Sequence, residues 1–226
     1  LVYNINISNK IRIGSKNDGG YVVVKVCDYD LLLSGGISNN VEFEKDFYKL
    51  NKTTPIIGFD GTIEKLPKTR VPIKFIKKNI GPDVTPTTTN MKNYIANYQN
   101  IFLKLDIEGS EFDFLRCLGT KEMNKFKQIV IEFHHAHCSK ECWDILKKIN
   151  QTHYLVHING NNNESILILK NHNNIHLPKV FECTYIRKDL YLGDLKLNTY
   201  NFPTVLDSPC RPSRPLIKLL SYPYSL

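Results

Sequence analysis

Apolar and polar positions alternate along this chain between two rhythms. Short continuous apolar runs recur in "DLLLSGG" (30–36), "PIIGFD" (55–60), "IKFIKKNI" (73–80), "IFLKLD" (101–106) and "QIVIEFH" (128–134). Runs of that length, bounded by turn residues, predict buried strands. Helical spacing fills the gaps between them. Phe43, Phe47 and Leu50 stand at i, i+4 and i+7 in "EFEKDFYKL", and "NMKNYIANYQ" (90–99) reads as a further helix. Cys142, Ile145, Leu146 and Ile149 share one face of "KECWDILKKIN". After Asp106, Ser110 is expected to cap a helix with Asp113 three residues on, burying Phe114, Leu115 and Leu118.

Strand–helix alternation with continuous apolar strands predicts a mostly parallel sheet covered by helices on both faces. "HYLVHIN", "SILILK" and "FECTYIRK" then predict an antiparallel edge. From Gly193 the chain carries Pro203, Pro209, Pro212, Pro215 and Pro223. One domain over residues 1–192, with an extended tail over 193–226 packed on it, is the expected organisation.

Composition narrows the picture. At 226 residues and 42% hydrophobic, the chain can bury a full core. No apolar run approaches the roughly 20 residues of a membrane-spanning helix. The N-terminal "LVYNINISNK" has no apolar signal segment, and the absence of an initiating Met suggests a piece of a longer chain. Cys27, Cys117, Cys138, Cys142, Cys183 and Cys210 show no CxxC spacing, so reduced thiols and a cytoplasmic setting are expected. The net charge of +8 favours anionic partners, although the locally basic stretch 64–79 reads as a solvated face.

In open α/β sheets ligands bind at the carboxyl ends of the strands. The first strand ends in Ser34, Gly35 and Gly36, a small-residue turn that lets backbone N–H groups approach a ligand, with Asn39 as the expected cap of the next helix. Asp60 follows the second strand, where a carboxylate can accept both hydroxyls of an adenosyl ribose. "NIGP", with Ile80, follows the third as an adenine-side loop. Asp106 and Glu108 follow the fourth, and the fifth ends in "EFHHAH" with Glu132, His134 and His135. Neither G-x-G-x-x-G nor a phosphate-binding P-loop is present, which argues against a simple dehydrogenase or an NTPase. A glycine turn, a ribose acid and an acidic corner together fit S-adenosylmethionine better than NAD.

These residues carry a resemblance. "LKLDIEGSEFDFL" (103–115) resembles the Lys-hydrophobe-Asp-hydrophobe-Glu-Gly-small-Glu signature of FkbM-type methyltransferases. "DGGYVV", "SGGISNNVEFEKDF", "IIGFDGT", "QIVIEFHH", "HINGNN" and "FECTYIRKDL" are similar to blocks from one branch of that family. The first glycine loop departs from the commoner Asp-x-Gly-Ala-x-x-Gly. The resemblance implies a Rossmann-like class I methyltransferase fold with a seven-stranded sheet, using S-adenosylmethionine to methylate hydroxyls of sugars or polyketides. Asp106 would then stand beside the cationic methionine part of the cofactor, with Glu108 next to it and Glu111 as a structural acid in the helix's first turn.

Methylating an alcohol requires that its proton leave as the oxygen attacks, and His is the usual base near neutral pH. His134 is the first candidate and His157 the second, with Asn159 and Asn162 as sugar-hydroxyl contacts. The spacings of "HHAHCSKEC" match no zinc motif. A hard divalent ion, Mg²⁺ or Mn²⁺, on Asp106, Glu132 and His134 is the better metal reading. A glycan O-methyltransferase, as one module of a larger glycan-building enzyme, leads. A nucleic-acid methyltransferase is the alternative that the charge supports. It lacks an Asp/Asn-Pro-Pro-aromatic motif and the aromatic interleaving of a single-strand channel. A non-catalytic domain that keeps the fold is the third reading.

Overall fold

The computed structural model describes residues 1–134, 139–170, 175–191, 195–220 and 222–226. A hairpin of β1 (Lys10–Gly14) and β2 (Gly20–Val24) precedes β3 (Leu31–Gly35), α1 (Glu42–Leu50), β4 (Ile56–Phe59) and β5 (Ile73–Ile76). Two short strands, β6 (Asn79–Ile80) and β7 (Thr88–Thr89), lead to the one-turn helix α2 (Lys92–Ile95). Next come β8 (Ile101–Leu105), α3 (Glu111–Cys117), α4 (Thr120–Met123), β9 (Phe126–Phe133) and α5 (Lys140–Thr152). Strand β10 (His153–Gly160), a small hairpin of β11 (Ile166–Leu169) and β12 (Ile175–Pro178), and β13 (Phe181–Arg187) follow.

Seven strands form the central sheet in the order β10-β13-β9-β8-β3-β4-β5. From β9 to β5 all neighbours are parallel, and β13 and β10 add the antiparallel edge expected from the sequence. The chain runs outward from β3 through β4 to β5, then returns to β8 and runs outward the other way. The reversal between β3 and β8 opens a crevice at their carboxyl ends, where such sheets bind ligands. Side chains alternate across each strand, so Leu31, Leu33, Leu103 and Leu105 enter one core with Phe114 and Phe133. Leu32, Phe102 and Val130 enter the other, with Phe43 and Phe47 of α1 and Tyr21 of β2.

Several local expectations change. Leu50 is 58% exposed, because the helix ends there and only Phe43 and Phe47 reach the sheet. The run 73–80 breaks after Ile76, where Lys78 N turns back to bond Ile76 O at 2.8 Å and Asn79–Ile80 leave to pair with β7. The helix expected over 90–99 shortens to α2. Ser110 stands at the N-cap of α3 without a side-chain cap bond, and Asp113 pairs with Arg116 at 2.8 Å instead. β11 leaves the central sheet for its own hairpin. The N-terminal hairpin, unforeseen as an element, lies across the Val130 face. There Val24 N donates to Gln128 Oε1 at 2.7 Å, and Thr184 Oγ1 donates to Val22 O. The tail lays Phe202, Ile217, Leu219 and Tyr224 into the main core. Among the described residues no helix is long and apolar enough to cross a membrane.

His153, at the start of β10, gives the fold an acid-sensitive point. Its Nε2–H donates to Phe126 O at 2.8 Å, so its Nδ1 accepts from Thr152 Oγ1 at 2.7 Å. Burial, outweighing the pull of that carbonyl, drops its pKa from 6.5 to about 4. Between those values the unfolded chain binds the extra proton, so stability is lost as pH falls through the window. From pH 7 to pH 5 the loss due to this residue is on the order of 2 kcal/mol. His153→Gln is expected to flatten that fall, read as the shift in urea midpoint between the two pH values. Parallel losses in variant and wild type would exclude the residue.

Candidate functional site

A cavity of about 680 Å³ opens at the strand reversal, within the range of small-molecule sites. Gly36, Asn39, Asp60, Ile80, Asp106 and Glu108 are among its lining residues. Gly36 has φ +74°, and a Cβ there would come within 1.6 Å of Asp106 O, so only glycine lets the turn after β3 pass the Asp106 backbone. Ser34 and Gly35 lie beneath the cavity instead of lining it. Ser34 Oγ donates to Glu44 Oε1, and a Cβ on Gly35 would meet Ile80 Cδ1 at 2.3 Å. Val41 stands at the N-cap of α1 without a side-chain cap bond; Asn40, rather than Asn39, accepts from Glu42 N at 2.9 Å, and Asn39 is exposed at the rim.

Asp60 sits at the end of β4 and ties the cavity's loops together. Its Oδ2 accepts from Ile37 N (3.1 Å) and Ser38 N (2.7 Å), and its Oδ1 from Thr62 N (2.7 Å) and Thr62 Oγ1 (2.6 Å). Burial works against its charge, but these four bonds prevail and hold its pKa below the usual value.

Asp106, Glu108, Glu111, Glu132 and His134 converge past the ends of β8 and β9. Glu111 is fully buried and accepts from Ile107 N (3.1 Å) and Gly109 N (3.2 Å), which fixes the turn where Glu108 adopts φ +55°. His134 Nδ1 stands 3.0 Å from Glu111 Oε1. An ionised carboxylate only accepts, so Nδ1 carries the proton. Nε2 therefore faces Glu108 Oε2 at 3.4 Å, Glu132 Oε2 at 3.7 Å and Asp106 Oδ1 at 4.0 Å. Burial opposes the charge on His134, but the Glu111 bond and the Glu132, Glu111 and Asp106 carboxylates raise its pKa to about 9. That raised pKa favours the imidazolium, so His134 serves as a base, or as a ligand through Nε2, only after losing the Nε2 proton. Burial, with the charges of Asp106 and Glu182, pushes Glu132 well above the usual carboxylate range.

One ligand atom from each of Asp106, Glu132 and His134 lies within 4.8 Å of the others, so the structure brings the expected trio together. A carboxylate fixing the far nitrogen of an imidazole is the usual support for a histidine metal ligand. Among the described residues the five cysteines are free thiols. His135 lies outside the described residues. His157, 2% exposed, is away from this cluster: its Nε2 pairs with Asp207 Oδ1 of the tail at 2.8 Å. Asn162 holds the tail too, donating to Arg211 O at 2.9 Å and Arg214 O at 2.8 Å.

Two functional residues escaped the sequence reading. Tyr21 of β2 donates its hydroxyl to Asp106 Oδ2 at 2.8 Å, which turns Oδ1 toward His134. Lys104, 5% exposed, donates to Gly36 O at 2.6 Å and stands 3.9 Å from Asp106 Oδ2, linking the glycine turn to the acidic corner. The alternation of β8 signals Lys104, since a cation inside an apolar strand needs a partner. Nothing local signals Tyr21. A more open hollow of about 560 Å³ lined by Asn100, Asn124 and Arg187 sits at the opposite ends of β8 and β9, apart from the carboxylate cluster.

The methyltransferase FkbM domain family matches residues 4–175, well over half of the chain. No curated protein matches it. Among solved structures, a chain in the crystal structure of a fibrillarin/Nop5p complex is similar, at 10% identity over 72% of this chain and 74% of that chain, with a TM-score of 0.40. A likeness that distant says nothing of substrate or chemistry. The domain match, on a doubly wound sheet with its cavity at the strand reversal, means that the chain belongs to the FkbM family of S-adenosylmethionine-dependent methyltransferases.

Proposed function

We propose that this chain is an O-methyltransferase that moves the methyl group of S-adenosylmethionine to a hydroxyl of a sugar or glycan, with a divalent cation at Asp106, Glu132 and His134. The observation that carries the reading is the orientation of His134. Glu111 takes its Nδ1–H and leaves Nε2 facing two carboxylates at the edge of the cofactor cavity. A hard divalent ion suits that donor set and would make a bound hydroxyl easier to deprotonate. Gly36, Asp60 and Ile80 would hold the cofactor's nucleoside, and Asp106 its cationic end. Glu108, 85% exposed and 3.4 Å from His134 Nε2, is the group able to pass the acceptor's proton to water.

The nucleic-acid alternative draws support from the +8 charge, but the charge at the site has the opposite sign. Asp106, Glu108, Glu111 and Glu132 surround the point of transfer, and a phosphate backbone there would meet carboxylates. A solvated basic surface accounts for the excess. Incubation with labelled S-adenosylmethionine and a sugar panel, followed by mass spectrometry, is expected to show a gain of one methyl on a saccharide. Cofactor binding with no transfer to any acceptor would favour the non-catalytic reading. For the cation, EDTA is expected to abolish transfer and Mg²⁺ or Mn²⁺ to restore it, while cofactor binding by calorimetry changes little. Full activity after exhaustive chelation would remove the cation and return proton removal to a side chain.

A further inference from the structure

The acidic corner continues sideways across the sheet. Strand register sets Glu132 opposite Glu182 and Glu182 opposite Asn159, and Asp106 follows Leu105, which pairs with Ile131. Asp106, Glu132, Glu182 and Asn159 thus stand abreast at the ends of β8, β9, β13 and β10, on the face crossed by the N-terminal hairpin. His157 lies on the same face, one step further in. Arg12 of β1 lies over this row, and its charge bears on both Glu182 and His157.

Hydrogen bonding in the row is incomplete. Among the described residues, five buried side-chain nitrogen or oxygen atoms have no hydrogen-bond partner, and four of them belong here: Arg12 Nε and Nη1, His157 Nδ1 and Asn159 Oδ1. The fifth is Glu44 Oε2. Arg12 spends Nη2 on Asn17 O at 2.8 Å, and Asn159 spends Nδ2 on Glu182 Oε2 at 3.2 Å. His157 donates through Nε2 to Asp207, so its Nδ1 is an acceptor. The open valences are therefore two donors, on opposite edges of the guanidinium, and two acceptors. Leaving such groups unpaired in the interior is costly, so a row that leaves four open calls for a ligand or ordered water.

We infer that this row is a second acceptor subsite, which binds hydroxyls of a sugar neighbouring the one that is methylated. A hydroxyl there accepts from Arg12 Nε or Nη1 and donates to Asn159 Oδ1 or His157 Nδ1, so the matching ligand is a neutral polyol. Two strand spacings, about 10 Å, separate Glu132 from Asn159. That span exceeds one pyranose ring and matches two linked ones, which makes the acceptor a disaccharide or longer. Glu182, Asn159 and His157 are each at most 5% exposed. The half-buried Cys210 is the tail residue beside them, its Sγ 3.6 Å from Glu182 Oε1.

The inference rests on the glycan reading above, and its test separates the two. Protein loaded with S-adenosylhomocysteine is titrated with methyl glycosides of common hexoses and with their matched disaccharides, and binding is read by ligand-observed NMR. At least one disaccharide is expected to bind tenfold or more tightly than either component. Asn159→Ala is expected to erase that advantage while S-adenosylhomocysteine affinity holds. Arg12→Lys, which keeps the charge and removes Nε and Nη1, is a second variant on the exposed side of the row and should do the same. Equal binding of mono- and disaccharides, or an advantage that survives Arg12→Lys, overturns the subsite alone. A panel in which no saccharide binds or is methylated overturns the glycan reading and the subsite with it.

Discussion

His134→Ala is expected to lower turnover by about 10²–10⁴-fold, the range for impairing proton removal from the acceptor, with little change in S-adenosylmethionine affinity. His134 meets four carboxylates at the edge of the cavity, whereas the glycine turn and Asp60 form its far wall, so the chemical step should suffer and cofactor binding should not. Glu111→Gln keeps one acceptor for Ile107 N and Gly109 N but loosens the imidazole, and about a 10–100-fold loss is expected. His157→Ala should behave differently. It strands the fully buried Asp207 carboxylate, so lost stability rather than a raised KM is the expected result. Single-turnover rates and melting curves for the three variants decide the ordering. A fully active His134→Ala enzyme removes that residue from the chemistry.

How much of this could be read from the sequence follows from what each feature depends on. β3, β8 and β9 were legible because buried parallel strands must be continuously apolar, and Asp106, Glu132 and His134 because they are polar residues at the carboxyl ends of β8 and β9. Once the strands are parallel neighbours, the three have to meet. Contacts set by elements far apart in the chain left no such trace. Tyr21 reads as an ordinary strand residue, and its hydroxyl partner is 85 residues away. His157 read as the second candidate base because its partner, Asp207, lies in a proline-rich tail whose path no periodicity fixes. Local errors had local causes. Asn39 was the expected cap, but the N-cap falls at Val41, and the chemically equal Asn40, two residues before Glu42, accepts its N–H. Leu50 satisfied the helical spacing but falls on the last turn, beyond the sheet it would have covered.

Asp60 carries the other large expectation, because it combines two roles that one substitution removes together. Asp60→Ala is expected to weaken S-adenosylmethionine binding by about 1–3 kcal/mol, roughly 5- to 150-fold, the range for losing a charged acceptor. The four donors from Ile37, Ser38 and Thr62 already occupy its oxygens, and a carboxylate has about four lone-pair sites. A ribose hydroxyl would therefore have to displace Thr62 Oγ1 or share an oxygen with it. Affinity loss alone does not separate a ribose contact from collapse of the loop that Asp60 holds. Deleting the partner on the ligand does. If Asp60 binds the ribose, wild-type protein should lose affinity for 2′- and 3′-deoxy analogues of S-adenosylhomocysteine, and Asp60→Ala should bind parent and analogues alike. If the carboxylate only anchors the loops, the substitution should weaken all the ligands by one common factor and preserve the wild-type preference among them. Calorimetry on the two proteins reads the difference directly, and a preserved preference would take Asp60 out of contact with the cofactor.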